Sequence, residues 1–288
     1  MTGVRVQGDR FTFADGLGER CIATQPPHGE VEVLHLCAPL AAAETAIRAR
    51  ASRLADVDAP ALSAVRRVER DERGVRVIGD RVPGMRLSEL LAHLETSGEI
   101  LSDAGVLELA SNIVRAVAVL HKLPGGLAHG AITPSHIVLN TEGGVVLTDG
   151  VYGPALESLQ LNRERLWREY QLALPASATL PRFDQRSDVT QAGAVVLAIA
   201  LRRPLQADEY PRNALDLVNA ATADAAAPGA SALRQWLHQA LQLHPRAMYS
   251  SAVEAERAFA EITATPGLRR AGIKALGQLL QPSRLLIA

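Results

Sequence analysis

The stretch from Leu127 to Tyr152, LAHGAITPSHIVLNTEGGVVLTDGVY, does most to narrow what this chain can fold into. Two short apolar runs, His136 to Leu139 and Val145 to Asp149, flank Asn140-Thr141-Glu142-Gly143-Gly144. A turn-rich pentapeptide with paired glycines between β-branched runs predicts a hairpin. A polar loop, HGAITPS, leads into the first strand, and Asp149-Gly150 follows the second.

The flanking sequence predicts strands first and helices later. RFTF, RCIAT and EVEVLHL are separated by turn signals at Asp15-Gly16-Leu17-Gly18 and Pro26-Pro27-His28-Gly29. Residues 41–55 are rich in helix formers with an apolar stripe. Residues 63–69 and 74–79 read as two more strands around Asp71-Glu72-Arg73-Gly74, and residues 102–123 as an amphipathic helix with Ser102 as its N-cap. With 288 residues, 48% of them hydrophobic, the chain can bury one bilobal core or two small ones.

Composition excludes several classes. A net charge of -1 gives no electrostatic footprint for nucleic acid. The two cysteines, Cys21 and Cys37, make neither a disulfide framework nor a metal site and read as reduced thiols. The first residues, MTGVRVQGDRF, lack the apolar run of a signal peptide, and no stretch reaches the 18 apolar residues of a span. A cytoplasmic location is the expectation.

The central stretch resembles the catalytic core of the protein kinases. Their loop H-R-D-x-K-x-x-N feeds a strand, a turn, a second strand and then D-F-G. His129-Gly130-Ala131-Ile132-Thr133-Pro134-Ser135-His136 and Asp149-Gly150-Val151 fit that frame without a gap. The resemblance puts Ala131 at the base position, Thr133 at the Lys position and His136 at the position of the metal-binding Asn. Asp149 is retained as the D-F-G Asp. His129 stands where the family packs a histidine beneath the loop. Asp188 and Gly193 match the carboxylate and the packing glycine of the central large-lobe helix. Pro181 is kept from A-P-E with Arg182 in place of its Glu. Near the end, Pro245 and Ser250 are kept, with His244 and Met248 replacing an Asp and an Arg.

In the small lobe the resemblance is thinner. Gly16-Leu17-Gly18 shortens the phosphate-covering loop, and a plain hairpin turn is the simpler reading. The V-A-I-K strand aligns with Val31-Glu32-Val33-Leu34-His35-Leu36, so the Lys position holds Leu34 or His35. In the first register, Glu32 opposes nucleotide entry. No lysine occurs before Lys122 to anchor phosphates. Arg50 or a neighbour stands where the helix αC Glu would pair with that lysine.

The resemblance therefore implies an α+β, bilobal kinase-like fold without kinase catalysis and with no cofactor or metal. The expected divisions are a small lobe over 1–82, a large lobe over 83–265 and a basic amphipathic tail over 266–288. The function implied is a protein-interaction or regulatory scaffold. Its alternatives are a nucleotide-binding, non-catalytic switch and, third, an atypical transferase. After Asp149 the expectation is an ordered helix on the large lobe, with Leu156, Leu159, Leu166, Trp167 and Tyr170 near one face. Two uses of that segment stay open. It caps the site and buries its aromatics, or Arg163, Trp167, Arg168 and Tyr170 dock another protein, such as an active kinase. The tail, with Arg269, Arg270, Lys274 and Arg284 and no acid, reads as a docked helix or as a segment near a membrane or a membrane-associated partner.

Overall fold

The computed structural model describes residues 7–25, 29–57, 59–140, 143–176, 180–244 and 248–280. The turn residues Pro26, Pro27 and His28, and the retained Pro245, lie outside these.

Five antiparallel strands build the first half. They are β1 (Gln7–Asp15), β2 (Gly18–Gln25), β3 (Gly29–Leu36), β4 (Val65–Asp71) and β5 (Gly74–Asp80), in the order β1-β2-β3-β5-β4. Side chains alternate across a pleated sheet, so each strand serves two faces. Ala23, Val31, Val33 and Ile78 form one small cluster. Leu34, Val68, Val75 and Val77 belong to a larger one on the other side. Arg20 pairs with Leu34, and Ile22 with Glu32. Arg20 and Glu32 are therefore diagonal neighbours on the same face as Leu34, the face turned toward the second half.

The helix expected over residues 41–55 is two helices, α1 (Ala38–Ala42) and α2 (Glu44–Leu54), broken at Ala43. Pro39 starts the first, as suits a residue without an amide proton to satisfy. Ile47 of α2 is fully buried in the same cluster as Leu34.

The chain leaves β5 and enters the helical half through β6 (Met85–Arg86). β6 pairs with β7 (Ile137–Leu139), which pairs with β8 (Val145–Leu147). The last two strands are the hairpin expected from the sequence. Helix α3 (Leu87–Ser97) follows β6 and stops at Gly98, whose φ of 71° is the left-handed conformation glycine adopts at least cost. Helix α4 (Asp103–Lys122) starts at Ser102, whose Oγ accepts from Gly105 N at 3.3 Å. By length and apolarity α4 could cross a membrane, but here it is a core helix, mostly buried.

Two short helices follow the hairpin, α5 (Gly153–Ser158) and α6 (Arg163–Tyr170). The single helix expected here is divided because Gln160 takes a φ of 51° and Asn162 caps a fresh start by accepting from Arg165 N. α6 packs on both halves of the molecule. Trp167 enters the large helical core, with its ring 4.9 Å from that of Tyr210 and its Nε1 donating to Gln206 O. Tyr170 joins the small-lobe cluster with Leu17.

Helix α7 (Gln185–Leu201) is buried on every side, as befits the centre of the helical half. Asp184 caps it by accepting from Arg186 N and Ser187 N. A Cβ on Gly193 would meet Ala240 Cβ at 3.0 Å, so glycine lets α7 approach the helix that ends at Ala240. Helices α8 (Ala214–Ala221), α9 (Ala230–Ala240), α10 (Ala252–Ile262) and α11 (Pro266–Leu279) complete the layer around α7 and α4.

Trp167 is 4% exposed and ties α6 to the core. Trp167→Ala should lower unfolding stability by about 3 kcal/mol or more, read from chemical denaturation.

Candidate functional site

Asp188 holds the loop that precedes β7. Its carboxylate is fully buried and accepts from His129 N at 2.6 Å, Gly130 N at 2.7 Å and His121 Nε2 at 2.9 Å. His121 Nδ1 accepts from Ala252 N, so Nε2 carries the proton toward Asp188. One turn on, Gln191 Oε1 accepts from Ile132 N at 2.8 Å. Two side chains of α7 thus fix the backbone of residues 129–132. Gly130 has a φ of 78°, and a Cβ there would fall 2.7 Å from Gly153 Cα, so this position requires glycine.

His129 lies beneath the loop and is fully buried. Its Nδ1 accepts from Ala131 N at 3.2 Å, and its Nε2 has no hydrogen-bond partner among the described residues. Burial pushes its pKa down to about 4, with the nearby Asp188 charge offsetting only part of that cost. His129 is a neutral packing group.

The face that β2, β3 and the hairpin turn toward each other is closed by charge. Arg20, with only 1% of its side chain exposed, reaches three carboxylates. Its Nε donates to Asp15 Oδ2 at 3.2 Å, and its Nη1 donates to Glu32 Oε1 at 2.8 Å and Asp149 Oδ1 at 3.1 Å. Arg86 extends the network by donating to Glu32, to Ser135 O and to Thr148 Oγ1. Both guanidinium groups lie over the ring of Phe13, at 5.3 and 4.8 Å from its centroid. His136 donates from Nδ1 to Ala131 O at 2.7 Å and brings Nε2 within 3.3 Å of Asp15.

The titration of these groups follows from the packing. Burial disfavours the charged guanidinium of Arg20, yet Asp149, Asp15 and Glu32 outweigh it and raise its pKa. Burial would raise Asp15, but the hydrogen bond and charge of His136 and the charge of Arg20 bring it down to about 2. Burial opposes Asp149 too, and Arg20, His136 and Arg86 hold it well below the usual carboxylate range. Asp149 takes a φ of 70°, a conformation that Asp tolerates better than most residues.

The glycine turn is also committed internally. Leu17 N and Gly18 N donate to Asp15 Oδ1 at 2.8 and 3.3 Å. A Cβ on Gly16 would collide with Glu169 O and the Tyr170 ring, so Gly16 exists to let α6 close over the turn. In β3, Leu34 is buried among apolar groups with Ile47, and Glu32 faces Arg20, as in the first of the two expected registers. Arg50 donates from Nε to Gly150 O at 3.2 Å and from Nη2 to Ala128 O. It clamps backbone from two loops instead of pairing with a strand residue.

No protein-family model and no curated protein matches this chain. Solved structures do. The kinase domain of Mycobacterium tuberculosis PknI is 19% identical over 92% of this chain and 99% of that domain, with a TM-score of 0.59. A maize SIRK1 (sucrose-induced receptor kinase 1) kinase domain bound to AMP-PNP is 20% identical over 98% of this chain and 97% of that one, with a TM-score of 0.63. The chain has a bilobal protein-kinase-like fold. At these identities the likeness is one of fold, and activity has to be argued from the cleft.

Ala131, Thr133 and His136 stand on the loop that leads into β7, with His136 Nδ1 on Ala131 O, and Asp149 stands after β8 against Arg20. Thr133 Oγ1 shares a hydrogen bond with Ser135 Oγ at 2.9 Å, and Ala131 is fully buried. Arg20, Asp15 and Arg86 escaped the sequence reading. Among the described residues the cleft has no lysine but does contain cations, and they are arginines bound to carboxylates. The readable signal was Arg20 itself, two residues from Ile22 on the face of β2 that opposes Glu32. Of the proposed contact residues on α6, Trp167 and Tyr170 are buried within this chain. Arg163 is half-buried and donates to Tyr210 Oη at 3.0 Å, while Arg168 faces solvent. Ser250 donates from N and from Oγ to Glu254 Oε2, and Met248 is exposed.

Removing one partner from a buried ion cluster strands the others. Arg20→Met should cost about 3–5 kcal/mol of stability, and adding Glu32→Gln should recover part of that loss in a double-mutant cycle. Equal losses in the single and double variants would show that Arg20 and Glu32 are uncoupled.

The buried, neutral His129 makes stability depend on pH. Its folded pKa near 4 lies below the unfolded value of about 6.5. The unfolded chain therefore binds more protons between those values, and stability falls as pH drops from about 6.5 to 4, by up to about 3 kcal/mol. Denaturation midpoints measured across that window should slope less steeply in His129→Asn, whose Oδ1 can replace Nδ1 as acceptor. The Asp15 contribution is present above about pH 4 and is lost only toward its folded value near 2.

Proposed function

We propose that this chain is a catalytically inactive protein-kinase-like domain, a pseudokinase, that acts as a protein-interaction or regulatory scaffold in the cytoplasm. The observation that carries the reading is the Arg20 cluster. Phosphoryl transfer in this fold relies on a carboxylate that holds metal, a cation on the phosphates and a base at the acceptor hydroxyl. Here the carboxylate of Asp149 is bound to Arg20, and Arg20 is shared with Asp15 and Glu32. The base position is Ala131, which has no proton acceptor in its side chain. The amides of the glycine turn are turned to Asp15. A nucleotide would have to break these contacts and place its own negative charge beside Glu32.

Two lobes locked by internal charge, with α6 packed across both, make a rigid surface suited to docking. The proposed partner is another protein, such as an active kinase, and the solvent-facing Arg168 on α6 supplies an anchor for an acidic segment.

A thermal melt with 5 mM ATP and magnesium should match the melt without them, since only a ligand well above its dissociation constant raises the midpoint. A rise of several degrees would favour the nucleotide-binding switch instead. Transfer of labelled γ-phosphate that vanishes in Asp149→Ala would overturn the inactive reading.

A further inference from the structure

Helix α11 carries Arg269, Arg270 and Lys274 and no acidic residue, on a chain whose net charge is only -1. Its inner side is fixed. Leu276, Leu279 and Leu280 are buried in the large core, and a Cβ on Gly272 would fall 2.7 Å from Glu108 Cβ of α4. The helix is seated too closely on α4 to roll, so its outer side is a permanent surface. Arg269, Arg270 and Lys274 are exposed there, and Ile273 stands among them with 53% of its surface in solvent. None of the three cations has an ion pair or side-chain hydrogen bond among the described residues.

Helix α4 adds a fourth cation. Arg115 reaches Asn112 Oδ1 and Ser111 Oγ, and its Nε lies 4.0 Å from Glu256. Cavities of about 660 and 370 Å³ flank α11, and Arg115, Arg269 and Ile273 line both. Two acids, Glu108 and Glu256, lie beside these four cations and leave the face net positive. Glu256 is held by Lys122 at 2.9 Å, and Glu108, 6% exposed, lies low between the two helices.

A row of cations with an exposed aliphatic side chain at its centre is a mixed chemical demand. Phosphate groups satisfy the cations, while Ile273 needs an apolar medium within a few ångströms of them. A nucleic-acid backbone supplies only the first. An anionic bilayer supplies both at the depth where headgroups meet acyl chains. The sequence past the helix repeats the pairing, with Arg284 followed by Leu285, Leu286 and Ile287.

We propose that the outer face of α11, with Arg115, Arg269, Arg270, Ile273 and Lys274, binds anionic phospholipid headgroups and seats the domain on a membrane surface. The surface shares no residue with the cleft, so this proposal and the inactive reading stand or fall separately. Each cation near an anionic surface adds roughly a fivefold gain in partition.

The test is sedimentation of the full chain with vesicles of phosphatidylcholine alone or with one quarter phosphatidylglycerol. The chain should pellet with the anionic vesicles, remain free with the neutral ones, and be released by 0.5 M salt. Neutralising three cations in Arg269→Gln, Arg270→Gln and Lys274→Gln together should weaken binding about a hundredfold, and Ile273→Asp should also weaken it. The leucines that dock α11 are untouched, so the melting temperature of each variant should match wild type and separate lost binding from lost folding. Equal binding to both vesicle types, no binding to either, or unchanged binding by the folded triple variant would overturn the proposal. Loss of a protein partner in the triple variant, with no vesicle binding by wild type, would reassign the face to protein docking.

Discussion

Burying a guanidinium is the constraint around which the two lobes are arranged. An unpaired cation in a low-dielectric interior costs more than a whole domain's margin of stability, so Arg20 has to be surrounded. Asp15 comes from the end of β1, Glu32 from β3 and Asp149 from the loop after β8. Those three elements converge because the charge must be met from each side. Arg86 performs the same service from the start of the helical half, by tying Glu32 to the loop carbonyl of Ser135. The relative position of sheet and hairpin is thus set by electrostatics as well as by apolar contact.

A second buried charge works in the opposite sense. Among the described residues no arginine or lysine bonds to Asp188, and its carboxylate is satisfied by two backbone amides and by His121 Nε2. Such an acceptor imposes shape, because amides must point at it from fixed directions. The loop over residues 129–132 is held from below by α7, while its side chains Ala131 and Ile132 are taken into apolar clusters. A backbone positioned this firmly from below keeps its geometry independently of the side chains it bears toward the cleft.

Much of this was legible in the sequence because local patterning and chain order carry it. The hairpin followed from paired glycines between β-branched runs. Helix α4 followed from its stripe and Ser102, and the roles of His129, Asp188 and Gly193 followed from their places in a motif. What escaped depends on side chains that meet only in three dimensions. Arg20 and Asp149 are 129 residues apart, and nothing near either one announces the pair. The break within the expected helix after Asp149 was hidden for another reason. Gln160 adopts a left-handed backbone that its residue type does not advertise, and the apolar positions 156, 159, 166, 167 and 170 continue across the break as if one helix carried them.

The cluster around Arg20 also bears on how sequences near this one can drift. Each of its members is buried at a cost that the others offset in part. A chain that lost Arg20 first would leave three carboxylates crowded together, and one that lost Asp15, Glu32 or Asp149 first would leave guanidinium groups short of partners. Every single step out of the arrangement is downhill in fitness for the fold, although a concerted exchange of several residues need not be. The cleft therefore acts as a ratchet. Substitutions on the exposed helices and loops around it cost little, while a change at one member of the charged interior has to be matched by a change at another.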